Sequence, residues 1–260
     1  MKSSFFMDIN IQKLANRQLS DFRLVNPGTC FEDNTFFISN EKAYALQDEV
    51  TKLRVRDGEK VVGFKVGCTG PGTTKLFGME GPIRGTLFDK ETLTNNACLD
   101  PHLFCNLAVE AEMAMSLGEN KEITSVFPII ELHNFVFKAS KKSLPELIAN
   151  NGLNRGLVLS EKYWKKKPED YDETHSLSLE INGYIIDKGD LWPMKGGPSS
   201  SLEWLSEHLT KYNHELLPGN IVLGGTALGL HLVKPGDDIR VKINDQTAVN
   251  CSVNLNETSN

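Results

Sequence analysis

The sequence predicts an α+β chain, mainly β, with a helical extension at its amino-terminal end. From Glu59 onward, short runs of β-branched and apolar residues recur between Gly, Asn and Pro breaks, the texture of strands. Helical periodicity is confined to the first part of the chain and two later segments. Helices and strands therefore do not alternate as a doubly wound parallel sheet requires. The expected organisation is a helical extension over residues 1–58 and a body over residues 59–260 whose sheet core is antiparallel or mixed.

In chain order, a weak helical pattern around Ile9 to Leu19 is followed by the turn-rich Asn26-Pro27-Gly28. Between Ser39 and Gly58, residues Ala43, Leu46, Val50 and Leu53 recur at spacings of three and four, with Ser39 or Asn40 available as N-cap. That spacing predicts an amphipathic helix. The strand runs are Val61 to Val66, Leu107 to Leu117, Val126 to His133, Leu177 to Asp187, Asn220 to Leu223 and Asp238 to Ile243. Asn182-Gly183 inside the fourth run is the dipeptide favoured for a two-residue hairpin turn. Pro145 to Asn150 reads as a short helix. Leu202 to Tyr212 reads as a longer one, with Ser200-x-x-Glu203 as a capping box and Leu202, Leu205 and Leu209 on its buried stripe. Lys162 to Glu173, three lysines followed by acids, reads as a solvated loop, and the polar tail after Val253 as frayed.

A chain of 260 residues with 40% hydrophobic and 24% charged residues buries a real core. Its formal charge of −6 offers no basic excess to neutralise phosphates, so a general nucleic-acid partner is not expected. Five cysteines without a CxxC pair argue against a disulfide framework and a thiolate zinc site, and a reducing, cytoplasmic setting is expected. Phe5-Phe6-Met7 is too brief for a secretory segment. No apolar run approaches the ~18 residues of a membrane span, so no membrane association is expected.

Strand periodicity over Leu107 to Leu117 sends Glu110 and Glu112 to one face, roughly 7 Å apart at the backbone. Ala108, Ala114 and Ser116 share that face and leave room for a pocket. Two like charges this close repel unless a proton or a cation intervenes, and oxygen-rich sites suit Mg²⁺ or Mn²⁺. A solvent-facing edge bearing two unrelated glutamates gives the same pattern. Glu131 lies in an apolar strand, where a lone acid needs a partner. His133 shares its face, either as a hydrogen-bonder behind the site or as a satisfied structural histidine. Lys65 stands between Gly63 and Gly67 on one face, which leaves room for a small anion or simply describes an exposed edge lysine. Gly70-Pro71-Gly72-Thr73-Thr74 lacks both nucleotide-binding spacings, GxxxxGK[ST] and GxGxxG.

The order of the motifs carries more than any one of them. Ala43-Tyr-Ala-Leu-Gln47, Gly63-Phe-Lys-Val-Gly-Cys-Thr69, Gly85-Thr-Leu-Phe88, Val109-Glu-Ala-Glu-Met113 and Pro128-Ile-Ile-Glu-Leu132 come first. Ile148-Ala-Asn-Asn151, Gly156-Leu-Val-Leu159, Asn182-Gly183, Trp204-Leu205, Pro218-Gly-Asn-Ile-Val-Leu-Gly-Gly225 and Lys234-Pro-Gly-Asp237 follow. Over about residues 40 to 245 this resembles the 2-keto-4-pentenoate hydratase branch of the fumarylacetoacetate hydrolase superfamily. That branch includes 2-oxohept-3-ene-1,7-dioate hydratases and 4-oxalocrotonate decarboxylases. The resemblance implies a β-sandwich roll with an amino-terminal helical extension, a Mg²⁺ or Mn²⁺ cofactor, a homo-oligomer and possible association with a related decarboxylase. It maps the three acidic metal ligands onto Glu110, Glu112 and Glu131 and the substrate-side lysine onto Lys65.

Lys65 and Glu110 are thus the expected catalytic residues, and Lys65, Arg84 and Asn151 the expected substrate contacts. The chain departs from the branch at Ile83 and Arg84, where the branch has Asp and an aromatic residue, at Asn134-Phe135-Val136 in place of Asp-Ser-Arg, and at Asn150 in place of Asp. The expected activity is a metal-dependent hydratase of a small 2-hydroxy-dienoic or 2-oxo-enoic acid. Decarboxylation on the same platform, acylpyruvate-type hydrolysis and a non-catalytic partner subunit are the alternatives. Hydrolysis is disfavoured because those relatives use a His/Glu pair in an amino-terminal lid, and the first histidine here is His102.

Overall fold

The computed structural model describes residues 10–70, 81–134 and 136–254. The Phe5-Phe6-Met7 cluster, Pro71 to Thr74, Phe135 and the tail beyond Asn254 lie outside them.

Helix α1 (Ile11–Arg23) starts where Asn10 accepts the Lys13 N–H, and α2 (Asn40–Arg56) where Ser39 accepts that of Lys42. Both carry an apolar stripe, and the stripes meet in a core of Ala15, Leu19, Ala43, Leu46 and Leu53. This core continues into the body through Ile83, Leu147, Ile148 and Leu153, so the extension lies on the body rather than apart from it. The short helix α3 (Leu144–Ala149) joins this layer.

Among the described residues the strands form two mixed sheets. The first runs β2 (Ile83–Phe88), β1 (Val61–Gly67), β10 (Ile221–Leu223), β5 (Leu107–Leu117), β6 (Ile123–Asn134), β7 (Asn154–Leu159), β3 (Thr92–Thr94). Strand β11 (His231–Leu232) pairs with one end of β5. The second runs β4 (Ala97–Leu99), β13 (Gln246–Val253), β12 (Asp238–Ile243), β8 (Ser176–Ile181), β9 (Tyr184–Asp190). The pairs β1–β10, β3–β7 and β4–β13 are parallel and the others antiparallel. Asn182 and Gly183, at φ 53° and 82°, make the expected hairpin between β8 and β9.

Alternation along β5 decides the layering. Val109, Ala111, Met113, Met115 and Leu117 face the second sheet and share a core with Leu177, Leu179, Ile239, Val241 and Val249. Ala108, Glu110, Glu112 and Ala114 face the other way, toward the helical layer. Gly63 permits the central crossing, because a Cβ there would stand 1.8 Å from the Ile221 carbonyl oxygen on β10.

Two expectations need correction. Helix α4 (Pro198–Lys211) begins before the proposed capping box, since Pro198 favours the first helical position. Ser200 Oγ donates instead to the Lys195 carbonyl at 2.8 Å. The charged segment 162–173 is docked rather than free. Trp164 and Tyr171 are buried, the Tyr171 hydroxyl donates to the Trp164 carbonyl at 2.9 Å, and Lys166 exchanges two backbone hydrogen bonds with Val126 on β6. All five cysteines are free thiols, and no described helix is long and apolar enough to cross a membrane.

Candidate active site

The β5–β6 register places Glu110 directly opposite Glu131, and Ala108 opposite His133. Like charges facing each other across an antiparallel pair destabilise the sheet, so this register demands a positive partner. One is present. Lys65, 3% exposed, points its Nζ to Glu131 Oε1 at 2.5 Å and to the Gly152 carbonyl at 3.3 Å. Asn154 Nδ2 donates to the same glutamate oxygen at 2.7 Å.

Glycines around Lys65 make room for the lysine itself. A Cβ on Gly67 would lie 3.2 Å from Lys65 Cε, one on Gly152 3.3 Å from it, and one on Gly85 2.9 Å from Lys65 Cγ. The reading of Lys65 as an exposed edge residue is therefore corrected: the side chain threads between glycines into the interior. Gly152 belongs to a turn in which Asn151, Gly152 and Leu153 all adopt left-handed φ, at 58°, 61° and 63°. Such backbone costs of order 1 kcal/mol or more at a non-glycine residue and persists only where the surroundings hold it. Asn151 supplies that hold, since its side chain accepts the Thr86 N–H at 2.7 Å and donates to the Thr86 carbonyl at 2.8 Å.

Glu112 is also buried, but its Oε1 is taken by the Gly225 N–H at 2.6 Å. His133 Nε2 stands 3.2 Å from Glu110 Oε2 and 3.2 Å from Glu131 Oε2. Among the described residues, Glu110, Glu131 and His133 are the group whose donor atoms all lie within 4.8 Å of one another, and Glu112 is not in it. Glu131 Oε2 and both ring nitrogens of His133 are buried without an aligned hydrogen bond.

The electrostatics are strongly coupled. Burial raises the Glu112 carboxyl well above its ordinary range, and the neighbouring Glu131 and Glu110 charges reinforce this against Lys65. Burial would raise Glu131 too, but the charges of His133 and Lys65 outweigh it and hold that group low, as an ionised carboxylate. For Lys65 and His133, burial alone would favour the neutral forms, yet the facing carboxylates raise both. Three carboxyl groups share one lysine, so the donor set has the charge and the chemistry to accept a divalent cation, with carboxylate oxygens and an imidazole nitrogen converging.

These groups open into a cavity of about 450 Å³, walled by Cys68, Thr69, Ile83, Leu147, Leu153 and the 225–230 loop. That is room for a small acid. Two expected substrate contacts fall outside it. On β2, Gly85 pairs with Lys65, so its neighbour Arg84 projects from the opposite face. Arg84 is fully buried against α2, bonded to Gln47 at 2.7 Å and Asp48 at 2.6 Å, beneath the Tyr44 ring. Asn151 is occupied with Thr86 and borders a separate small cavity with Gln18, Gln47 and Asn150. Cys68 and Thr69, to which the sequence assigns no role of their own, line the cavity just beyond Lys65 along the chain.

No profile of a known family matches the sequence. Individual proteins do. A 2-oxo-hept-4-ene-1,7-dioate hydratase of Escherichia coli is 25% identical over 233 residues, covering 82% of this chain and 86% of that protein. A 4-oxalocrotonate decarboxylase of Pseudomonas putida is 25% identical over 213 residues, covering 77% and 80%. Among solved structures, the 4-oxalocrotonate decarboxylase of Pseudomonas putida G7, complexed with magnesium and adipate, superposes with a TM-score of 0.84 at 21% identity, covering 94% and 97%. Fumarylpyruvate hydrolase of Pseudomonas aeruginosa, with Mn²⁺ and pyruvate, superposes with a TM-score of 0.57 at 14% identity, covering 74% and 89%. In sequence the chain is a relative of the hydratases and decarboxylases of the 2-keto-4-pentenoate hydratase branch, and its fold is that of the fumarylacetoacetate hydrolase superfamily.

Proposed function

We propose that this chain is a divalent-metal-dependent hydro-lyase acting on a small 2-hydroxy-dienoic or 2-oxo-enoic acid. The carrying observation is the Glu110–Glu131 pair, forced face to face at the wall of a cavity of about 450 Å³ with Lys65 against Glu131. Glu110 and Glu131 would hold the ion, with Glu112 beside them. Bound there, a divalent cation supplies Lewis acidity toward the oxygens of a 2-oxo acid.

The chain's own residues do the rest. Lys65, whose ammonium form the facing carboxylates favour, stands where the substrate's carboxylate or enolate oxygen would carry negative charge, held in place by Glu131 and the Gly152 carbonyl. Glu112, whose carboxyl burial and the neighbouring carboxylates push upward, lines the same cavity with its Oε1 held by the Gly225 N–H, and is the group placed to hold or move a proton beside the substrate. Leu147, Leu153 and Ile83 wall the apolar part of the substrate from water. The hydratase relatives support addition of water across the conjugated double bond.

Decarboxylation is a second reading, favoured by the equally similar 4-oxalocrotonate decarboxylase. The test follows the loss of ultraviolet absorbance of 2-hydroxypenta-2,4-dienoate with added Mg²⁺ or Mn²⁺, with CO₂ release from a vinylogous 2-oxo acid measured in parallel. Hydration without CO₂ release is expected. Unimpaired turnover by the Glu110→Gln/Glu131→Gln double variant would overturn the metal-centred reading.

A further inference from the structure

We propose that His133 is itself a ligand of the cation held by Glu110 and Glu131, so that this site binds transition-metal ions in preference to Mg²⁺. The inference rests on the metal-dependent reading above and deepens it.

The geometry is that of neighbouring ligands around one centre. Nε2 stands 3.2 Å from a carboxylate oxygen of each glutamate. Adjacent donors around a six-coordinate ion bound at about 2.1 Å stand about 3 Å apart, which matches. Both are ion-pair contacts, yet neither is well aligned as a hydrogen bond for Glu131 Oε2 or His133 Nε2. A cation in place of the imidazolium proton would satisfy all three groups together. The ring cannot turn away to solvent, being 3% exposed. Ala108, its partner across the strand pair, offers only a methyl group and leaves the ring its space.

Glu112 lines the same cavity but is not among the donors lying within 4.8 Å of one another, its Oε1 being committed to the Gly225 backbone. The converging donors are thus two carboxylates and an imidazole, with Glu112 beside them. Mg²⁺ favours oxygen donors, whereas imidazole nitrogen suits the later first-row ions, so His133 shifts selectivity away from Mg²⁺.

The test uses the full chain loaded with Mn²⁺ and pulsed electron paramagnetic resonance. Coupling of the bound Mn²⁺ to a histidine nitrogen is expected, identified by its change when histidine is labelled with ¹⁵N. In competition titrations, Mg²⁺ should displace Co²⁺ or Ni²⁺ only at a more than tenfold excess. His133→Val, checked for folding by circular dichroism, should still bind Mn²⁺ through the glutamates but lose the nitrogen coupling and most of the Co²⁺ or Ni²⁺ preference over Mg²⁺. Mn²⁺ bound without nitrogen coupling in the wild type overturns the role of His133 and leaves the glutamate site standing. Failure of the wild type to bind any of these ions overturns both.

Discussion

At Lys65 two effects of opposite sign meet. Burial disfavours the ammonium, while three carboxyl groups favour it, and the second effect wins. Removing the lysine would leave buried Glu131 with only His133 as a charged partner, and breaking a buried pair typically costs about 3 to 5 kcal/mol. Lys65→Met is therefore expected to lose that much stability in urea denaturation with chelator present, and to regain part of it when Mn²⁺ replaces the missing charge. Its turnover should fall at least a hundredfold even with metal. Arg84 makes the contrasting case. Its guanidinium ties β2 to Gln47 and Asp48 of α2 and never reaches the cavity. Arg84→Met should lower stability by about 3 kcal/mol because Gln47 and Asp48 lose the guanidinium and Asp48 keeps only His214, while the KM of the folded variant stays within about twofold of the wild type.

At the scale of elements, α4 is joined to α2 through an aromatic stack. His208 lies on Trp204 with ring centroids 4.8 Å apart and against Tyr44 at 4.7 Å. Burial first, then the nearby Arg84 and Lys211 charges, push this histidine down to about 4. The unfolded chain takes up its proton near 6.5 and the folded chain only near 4, so stability is lost as pH falls through that window and is fully present above it. Melting temperatures at pH 7 and pH 5 should differ less for His208→Phe than for the wild type. The β1–β10 crossing makes a second element-scale prediction. Any side chain at Gly63 collides with the Ile221 carbonyl, so Gly63→Ala should be destabilised by more than ~3 kcal/mol or fail to yield soluble protein.

For the whole molecule, periodicity carried much of the architecture. Alternation over Leu107 to Leu117 predicted β5 to the residue, and the spacing of Ala43, Leu46 and Leu53 predicted α2 to within two residues. Strand β2 escaped because it is buried on both faces and so has no alternation to read. Strand β13 did carry a signal, in Val249, Cys251 and Val253, but its polar half obscured it. The acidic side chains were legible one strand at a time. Their meeting was expected only through the resemblance and not from periodicity, because the facing of Glu110 and Glu131 depends on a register set by the turn around Gly118 to Lys121. The same limit left His133 open between a hydrogen-bonder behind the site and a structural histidine, since what it meets lies across the strand pair, and misplaced Arg84, whose direction follows from the pairing of Gly85 with Lys65.

The left-handed turn at Asn151 to Leu153 has one more effect. It offers Lys65 an acceptor that belongs to the main chain and carries no net charge. Were the proposed ion to draw on Glu131, the ammonium would keep an anchor indifferent to that change. Cation and lysine would then sit side by side, and a bound acid would meet two positive centres at once.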